Sequence, residues 1–150
     1  MSYSSVSSHR YSKCLWFLLF LFALRVVGQA LQRWLPLSFL PPFSAFQGSH
    51  LPYWLLLSIQ LLILSLMVHI AWKAQRGKLS PNHSLSKYLR WLGSVYMAGA
   101  LGRIAIGLLY SNAPSWFSTW IPAAFHIVLA AFVLTLGALY HSLSSSKHAL

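Results

Sequence analysis

Four long stretches of this chain are apolar, residues 15–32, 53–72, 91–110 and 120–140, separated by an aromatic- and proline-rich segment, a basic one and a short third one. Each approximates the ~20 residues that a helix needs to cross a hydrocarbon core of ~30 Å. The pattern predicts an all-α fold, a four-transmembrane-helix bundle occupying residues 15–140. Residues 1–14 and 141–150 are left as tails, and an even number of spans puts both on one side of the membrane. The serine-rich ends, 2–8 and 142–146, read as short disordered segments.

Composition supports that class. Hydrophobic residues make up 57% of the chain and charged residues 7%, against roughly 25% charged in soluble domains. So few charges cannot cover a water-soluble protein of this size. They are also all of one sign, with 11 Lys and Arg and no Asp or Glu. With the N-terminus in the cytoplasm, Arg10, Lys13, Lys73, Arg76, Lys78, Lys87, Arg90 and Lys147 fall inside. Arg33 alone falls in an external loop, while Arg25 and Arg103 lie within spans. Such asymmetry fits the positive-inside rule and places both termini in the cytoplasm. The basic loop 73–90, with Gly77, Ser80, Pro81 and Asn82, reads as a turn and short linker. Its scattered cations suit anionic lipid headgroups. They fall short of a clustered nucleic-acid-binding face, so no nucleic-acid partner is expected.

Aromatic residues mark the expected interfaces, where an apolar body and a polar N–H are both accommodated. Trp16, Trp72 and Trp91 belong to the inner one, and Trp34, Trp54, Trp116 and Trp120 to the outer. Loop 33–52 carries Trp34, Phe39, Phe43 and Phe46 among Pro36, Pro41 and Pro42. It is expected to lie on the outer interface or dip into it, as is loop 111–119 with Trp116 and Phe117. Interfacial anchoring accounts for both loops more simply than a lid over the helix ends.

The N-terminal stretch admits a second reading. Arg10, Lys13, the apolar run 14–24 and Gly28-Gln29-Ala30 resemble a cleavable secretory signal, which would make Leu31 the first mature residue. Arg25 and the continuing apolar sequence favour a retained helix. Cys14 is the sole cysteine, so no internal disulfide is possible. It sits at the membrane edge, where lipidation is chemically compatible. Phosphate-cradling glycine motifs and metal-spaced Cys/His clusters are absent, and neither cofactor nor metal is expected. His69 and His141 share the inner face and would suit a bis-His haem if their helices were neighbours. His69 and His126 differ in depth by about 15 Å and cannot share one iron.

Counting helical rise yields the sharpest functional expectation. Arg25 lies seven residues before the outer end of the first span, and Arg103 seven before that of the third. Gln60 lies seven residues after the outer start of the second span, and His126 six after that of the fourth. All four therefore fall about 10 Å below the outer boundary, and Gln29 sits one turn above Arg25. Each group also has an ordinary explanation, since arginine can snorkel, glutamine can bond across helices and buried histidine is often structural. Should they converge, two guanidiniums in a low dielectric need an anion that this acid-free chain does not contain. Glutamines and a neutral histidine can accept hydrogen bonds but cannot neutralise charge. Arginine's planar fork suits phosphate or carboxylate. Beside Arg103, the small residues Ser94, Ala98 and Gly102 predict a close helix contact, with Gly99 and Gly107 leaving room for its stem. Pro122 fits the first turn of the fourth helix.

The segments Leu51-Pro52-Tyr53 with Gln60, and Ile121-Pro122-Ala123-Ala124-Phe125-His126-Ile127-Val128-Leu129-Ala130, resemble small, uncharacterised bacterial four-helix membrane proteins over residues 15–140. The architecture with Arg25 in the first span also resembles DoxX-like proteins. These resemblances supply no reaction; short loops and the lack of an extra domain make a multi-pass protein of a bacterial inner membrane the expectation. The leading expectation is a non-catalytic accessory or assembly protein. It would bind an anionic lipid or a partner subunit's acidic residue through Arg25, Arg103, His126, Gln60 and Gln29. A redox module acting on a quinone-like substrate through His126 is the alternative, and a passive anion pathway is a third.

Overall fold

The computed structural model describes residues 3–35, 37–46, 51–109 and 120–147. Among these residues five helices form: α1 (Tyr3–Trp34), α2 (Phe43–Phe46), α3 (Tyr53–Gln75), α4 (His83–Leu109) and α5 (Trp120–Lys147). No strand occurs among them. The segments His9–Trp34, Tyr53–Gln75, His83–Leu109 and Ile121–Ser145 are long and apolar enough to cross a membrane. The shortest, with 23 residues, reaches about 34 Å. The expected loop 111–119, with Trp116 and Phe117, lies outside the described residues, as do Tyr110 and the side chains of Trp120 and Lys147.

Helices overrun the expected spans at one end of the molecule. α1 begins at Tyr3, α4 at His83, and α5 continues to Lys147, so residues 3–8 and 142–146 of the serine-rich ends are helical and not disordered, while residue 2 lies outside the described residues. Extending an existing helix gains one hydrogen bond per residue fixed, and it proceeds until a stop signal intervenes. Such a signal ends α3. Gly77 adopts φ 62°, Lys78 N–H donates to the Lys73 carbonyl at 3.0 Å, and Gly77 N–H donates to that of Ala74 at 3.1 Å. This is a Schellman closure, which satisfies carbonyls that the helix leaves unpaired. Asn82 then starts α4, its Oδ1 accepting from Leu85 N–H at 2.9 Å, as an N-cap does.

The four long helices alternate in direction. Trp16 Nε1 donates to Gln75 Oε1 at 2.9 Å, and the His83 and His141 rings lie 6.5 Å apart. The start of α1, the end of α3, the start of α4 and the end of α5 therefore meet at one end. That end exposes Arg10, Lys13, Lys73, Arg76, Lys78, Lys87 and Arg90. At the opposite end Tyr53 packs edge-on against Trp34 and Phe43, with ring centroids 5.7 and 5.4 Å away. His69 is exposed on α3, which does not pack appreciably on α5. The condition for a His69–His141 pair, neighbouring helices, is thus not met; His83 faces His141 instead.

Helix neighbours form a row, with α3 against α1, α1 against α5 and α5 against α4. Leu15, Leu18, Leu19, Phe22 and Val26 of α1 meet Met67, Ala71 and Ala74 of α3 and Phe132, Leu136 and Leu139 of α5. Between apolar helices in lipid, close packing supplies the attraction that water would supply elsewhere. The tightest approach joins α4 to α5. A Cβ on Gly93 would come within 2.8 Å of Leu134 Cγ, and one on Gly137 within 2.8 Å of Arg90 Cγ. Ser86 Oγ donates to the Gly137 carbonyl across the same seam at 2.9 Å.

This corrects the expected small-residue contact. Ser94 and Ala98 are exposed, and a Cβ on Gly99 or Gly102 would meet nothing within 4 Å. Ser86, Gly93 and Ala100, spaced by seven, are the buried residues of α4. One residue is about 100° around a helix, so choosing the stripe by size alone put the contact on the wrong face.

Candidate functional site

The missing contact in the row of helices locates a cavity. α3 packs on α1 and α4 on α5, but no comparable contact joins α3 to α4 among the described residues. Between them lies a cavity of about 290 Å³. Leu56, Ile59, Gln60 and Ile63 of α3 form one wall, and Tyr96 and Arg103 of α4 form another. Phe22 and Arg25 of α1, with Pro122, Phe125, His126 and Leu129 of α5, form its back.

Four of the five expected site residues, Arg25, Gln60, Arg103 and His126, therefore line one cavity, one from each long helix. Gln29 stands behind it, fully buried, and accepts a 3.0 Å hydrogen bond from Gln60 Nε2. The Gln29–Gln60 bond also fastens α1 to α3 at the level of the cavity.

Arg25 is 9% exposed. Its Nη2 donates to the Phe46 carbonyl at 3.3 Å, and its guanidinium carbon lies 5.3 Å from the centre of the Phe125 ring. Its Nε has no hydrogen-bond partner among the described residues, and neither do Gln29 Nε2 nor Gln60 Oε1. A carbonyl and an aromatic face soften a buried cation without cancelling its charge. Arg103 is half-buried on the α4 wall, and His126 lines the same cavity from α5. His126 Nδ1 and the Tyr96 hydroxyl form a hydrogen bond of 2.5 Å.

Sequence reasoning missed three contributors. Tyr96 is seven residues from Arg103, hence on the same face of α4, but about 10 Å deeper by helical rise. A search confined to one depth passes over it; a search by face, at seven-residue spacing, finds it. Phe46 belongs to the loop expected at the outer interface. The Pro41-Pro42 pair precedes α2, which packs against α1 and α5 and buries Phe46 to 6% exposure. The Phe46 ring lies over Gly28, and its carbonyl is thereby brought to Arg25. Phe125, adjacent to His126, supplies the aromatic face.

No family model, no curated protein and no solved structure matches this chain. The cavity offers two guanidiniums, an amide oxygen and a Tyr–His pair within apolar walls. It can hold a group that is negatively charged at one end and apolar at the other.

Proposed function

We propose that this chain is a non-catalytic, multi-pass protein of a bacterial inner membrane, with both termini in the cytoplasm. On this reading it serves as an accessory or assembly factor that binds an anionic group through Arg25 and Arg103 in the outer half of the bilayer. One observation carries the reading: each of the four long helices sends a polar residue to one cavity, two of these are arginines, and the chain has no Asp or Glu. An intramembrane cation is costly and is a functional-site hypothesis by default. Gln60 and His126 can orient an anion, and the apolar walls exclude water that would weaken the attraction. The cytoplasmic placement rests on the exposed cations gathered at the opposite end from the cavity.

Extraction in mild detergent, followed by native mass spectrometry and pull-down, tests this function. Wild type is expected to retain an anionic lipid or an acidic membrane partner, and Arg25→Ala and Arg103→Ala to lose it. Retention of neither, or retention unchanged in both variants, overturns the reading.

The Tyr96–His126 hydrogen bond favours a second reading. A phenol paired with an imidazole beside two cations is suited to hydrogen-bonding a quinone-like head and stabilising its reduced, anionic form. Quinone-dependent absorbance changes that persist unaltered in His126→Ala would dismiss that reading.

A further inference from the structure

The side of the bundle left unpacked and the unmatched polar atoms of the cavity together specify a ligand, given the anion-binding reading above. We propose that a phosphate lipid with a hydroxylated headgroup enters the cavity sideways from the outer half of the bilayer, between α3 and α4.

Size sets the first constraint. At about 290 Å³ the cavity is at the lower limit of small-molecule pockets. It takes a headgroup and the first carbons of a chain, so the rest of the lipid stays outside. A transmembrane helix, about 10–12 Å across with its side chains, does not fit. Apolar walls at the gap give the acyl chains a continuous path to the bilayer. Ile59, on the α3 wall, is 42% exposed, and Leu62 and Leu66 beyond it are more so.

Hydrogen-bonding chemistry sets the second. Arg25 Nε is an unpartnered donor and Gln60 Oε1 an unpartnered acceptor. The residues that carry them are 9% and 3% exposed, and both line the cavity. Gln60 commits an N–H to Gln29, which leaves its carbonyl oxygen as the end without a partner among the described residues. The ligand must therefore accept from arginine and donate to an amide oxygen. A fatty-acid carboxylate at neutral pH only accepts. An aminophospholipid donates through an ammonium, which the arginines repel. A phosphodiester bearing a hydroxylated alcohol does both, and arginine's fork matches its oxygens.

The test uses the full chain in vesicles of phosphatidylcholine doped with equal amounts of phosphatidylglycerol and phosphatidylmethanol. These two lipids carry the same charge and differ in the headgroup hydroxyls. Native mass spectrometry of the extracted protein is expected to show phosphatidylglycerol retained about tenfold over phosphatidylmethanol, the ratio that ~1.4 kcal/mol represents. Gln60→Leu is expected to equalise the two while anionic lipid remains bound. Arg25→Gln and Arg103→Gln are expected to reduce both relative to phosphatidylcholine. Water-soluble glycerol phosphate is expected not to displace the lipid, and Ile59→Trp to lower occupancy where Leu62→Trp does not.

Equal retention of the two lipids by wild type would overturn the hydroxyl assignment and leave anion binding standing. Displacement by glycerol phosphate would overturn access from the bilayer. If wild type retains no lipid but an acidic membrane protein depends on Arg25 for association, the ligand is wrong and the parent reading survives. If neither lipid nor acidic partner is held, both fail.

Discussion

Replacing Arg25 by methionine separates a binding group from a structural one. Methionine keeps an unbranched side chain and removes the charge. Burying an arginine within a membrane helix costs about 2.5–3.5 kcal/mol on insertion scales. Against that stand one hydrogen bond of 3.3 Å to the Phe46 carbonyl, worth about 1.5 kcal/mol at the weak end for a charged donor, and the Phe125 ring 5.3 Å away, worth about 0.5–1 kcal/mol. The opposing terms differ by about 0–1.5 kcal/mol. Arg25→Met is therefore expected to change anion-free stability by no more than about 1.5 kcal/mol. Removing one member of a fully satisfied buried ion pair costs about 3–5 kcal/mol. Unfolding in mild detergent, followed by tryptophan fluorescence, measures the difference. Adding an anionic lipid at about 100 times its Kd stabilises a one-site protein by about 2.7 kcal/mol; wild type is expected to gain on that scale and Arg25→Met not at all. A loss of 3 kcal/mol or more in anion-free Arg25→Met would refute the reasoning, because the arginine would then be holding the fold together.

Gln29→Leu and Gln60→Leu are each expected to destabilise by about 1–3 kcal/mol by stranding the surviving amide. The double variant should lose much less than their sum, and additive losses in a double-mutant cycle would deny the coupling. Gly137→Leu should force α4 from α5, because even a Cβ would meet Arg90 Cγ at 2.8 Å; a loss of about 1–3 kcal/mol is expected, and unchanged unfolding would contradict the packing. In a Cys14→Ser background, a cysteine at Ser80 should react with an impermeant maleimide only after the cytoplasmic face is opened, and one at Ser38 in intact spheroplasts. The reverse pattern would invert the orientation.

Positions that bury one kind of side chain at one depth were legible in the sequence. Arg25, Gln60, Arg103 and His126 could be brought to a common level by helical rise alone, because every long helix alternates in direction and rises 1.5 Å per residue. Rotation about each helix axis was not legible. Ser94 and Gly93 are equally plausible as small residues, and only the direction in which α4 meets α5 decides that Gly93 is the contact. Phe46 was hidden for a different reason: its contribution is a backbone carbonyl, which every residue has. Nor could the serine-rich ends announce that they are helical, since serine's modest helix propensity is overridden once a long helix already exists to be extended.

The unpacked side and the arginines belong to one design. α4 is drawn to α5 by glycine contacts on both helices, and α3 is drawn to α1 by small residues such as Ala71 and Ala74 and by the Gln60–Gln29 bond. Each outer helix thus has its short-range contacts on one side, and α1 and α5 join the two pairs through their large side chains while α3 and α4 make no comparable contact among the described residues. In water such a cleft would close to bury its apolar walls. In lipid there is no comparable pressure, because acyl chains are as good a neighbour as another helix. Filling by acyl chains alone would leave Arg25 Nε and Gln60 Oε1 unmatched, at several kcal/mol per group in hydrocarbon. A purely apolar cleft would accept any lipid without preference, and a polar cluster without a cleft would find its partners within the chain. With both at the same place, the occupant favoured by the physics is the one lipid component that brings charge and hydrogen bonds with it.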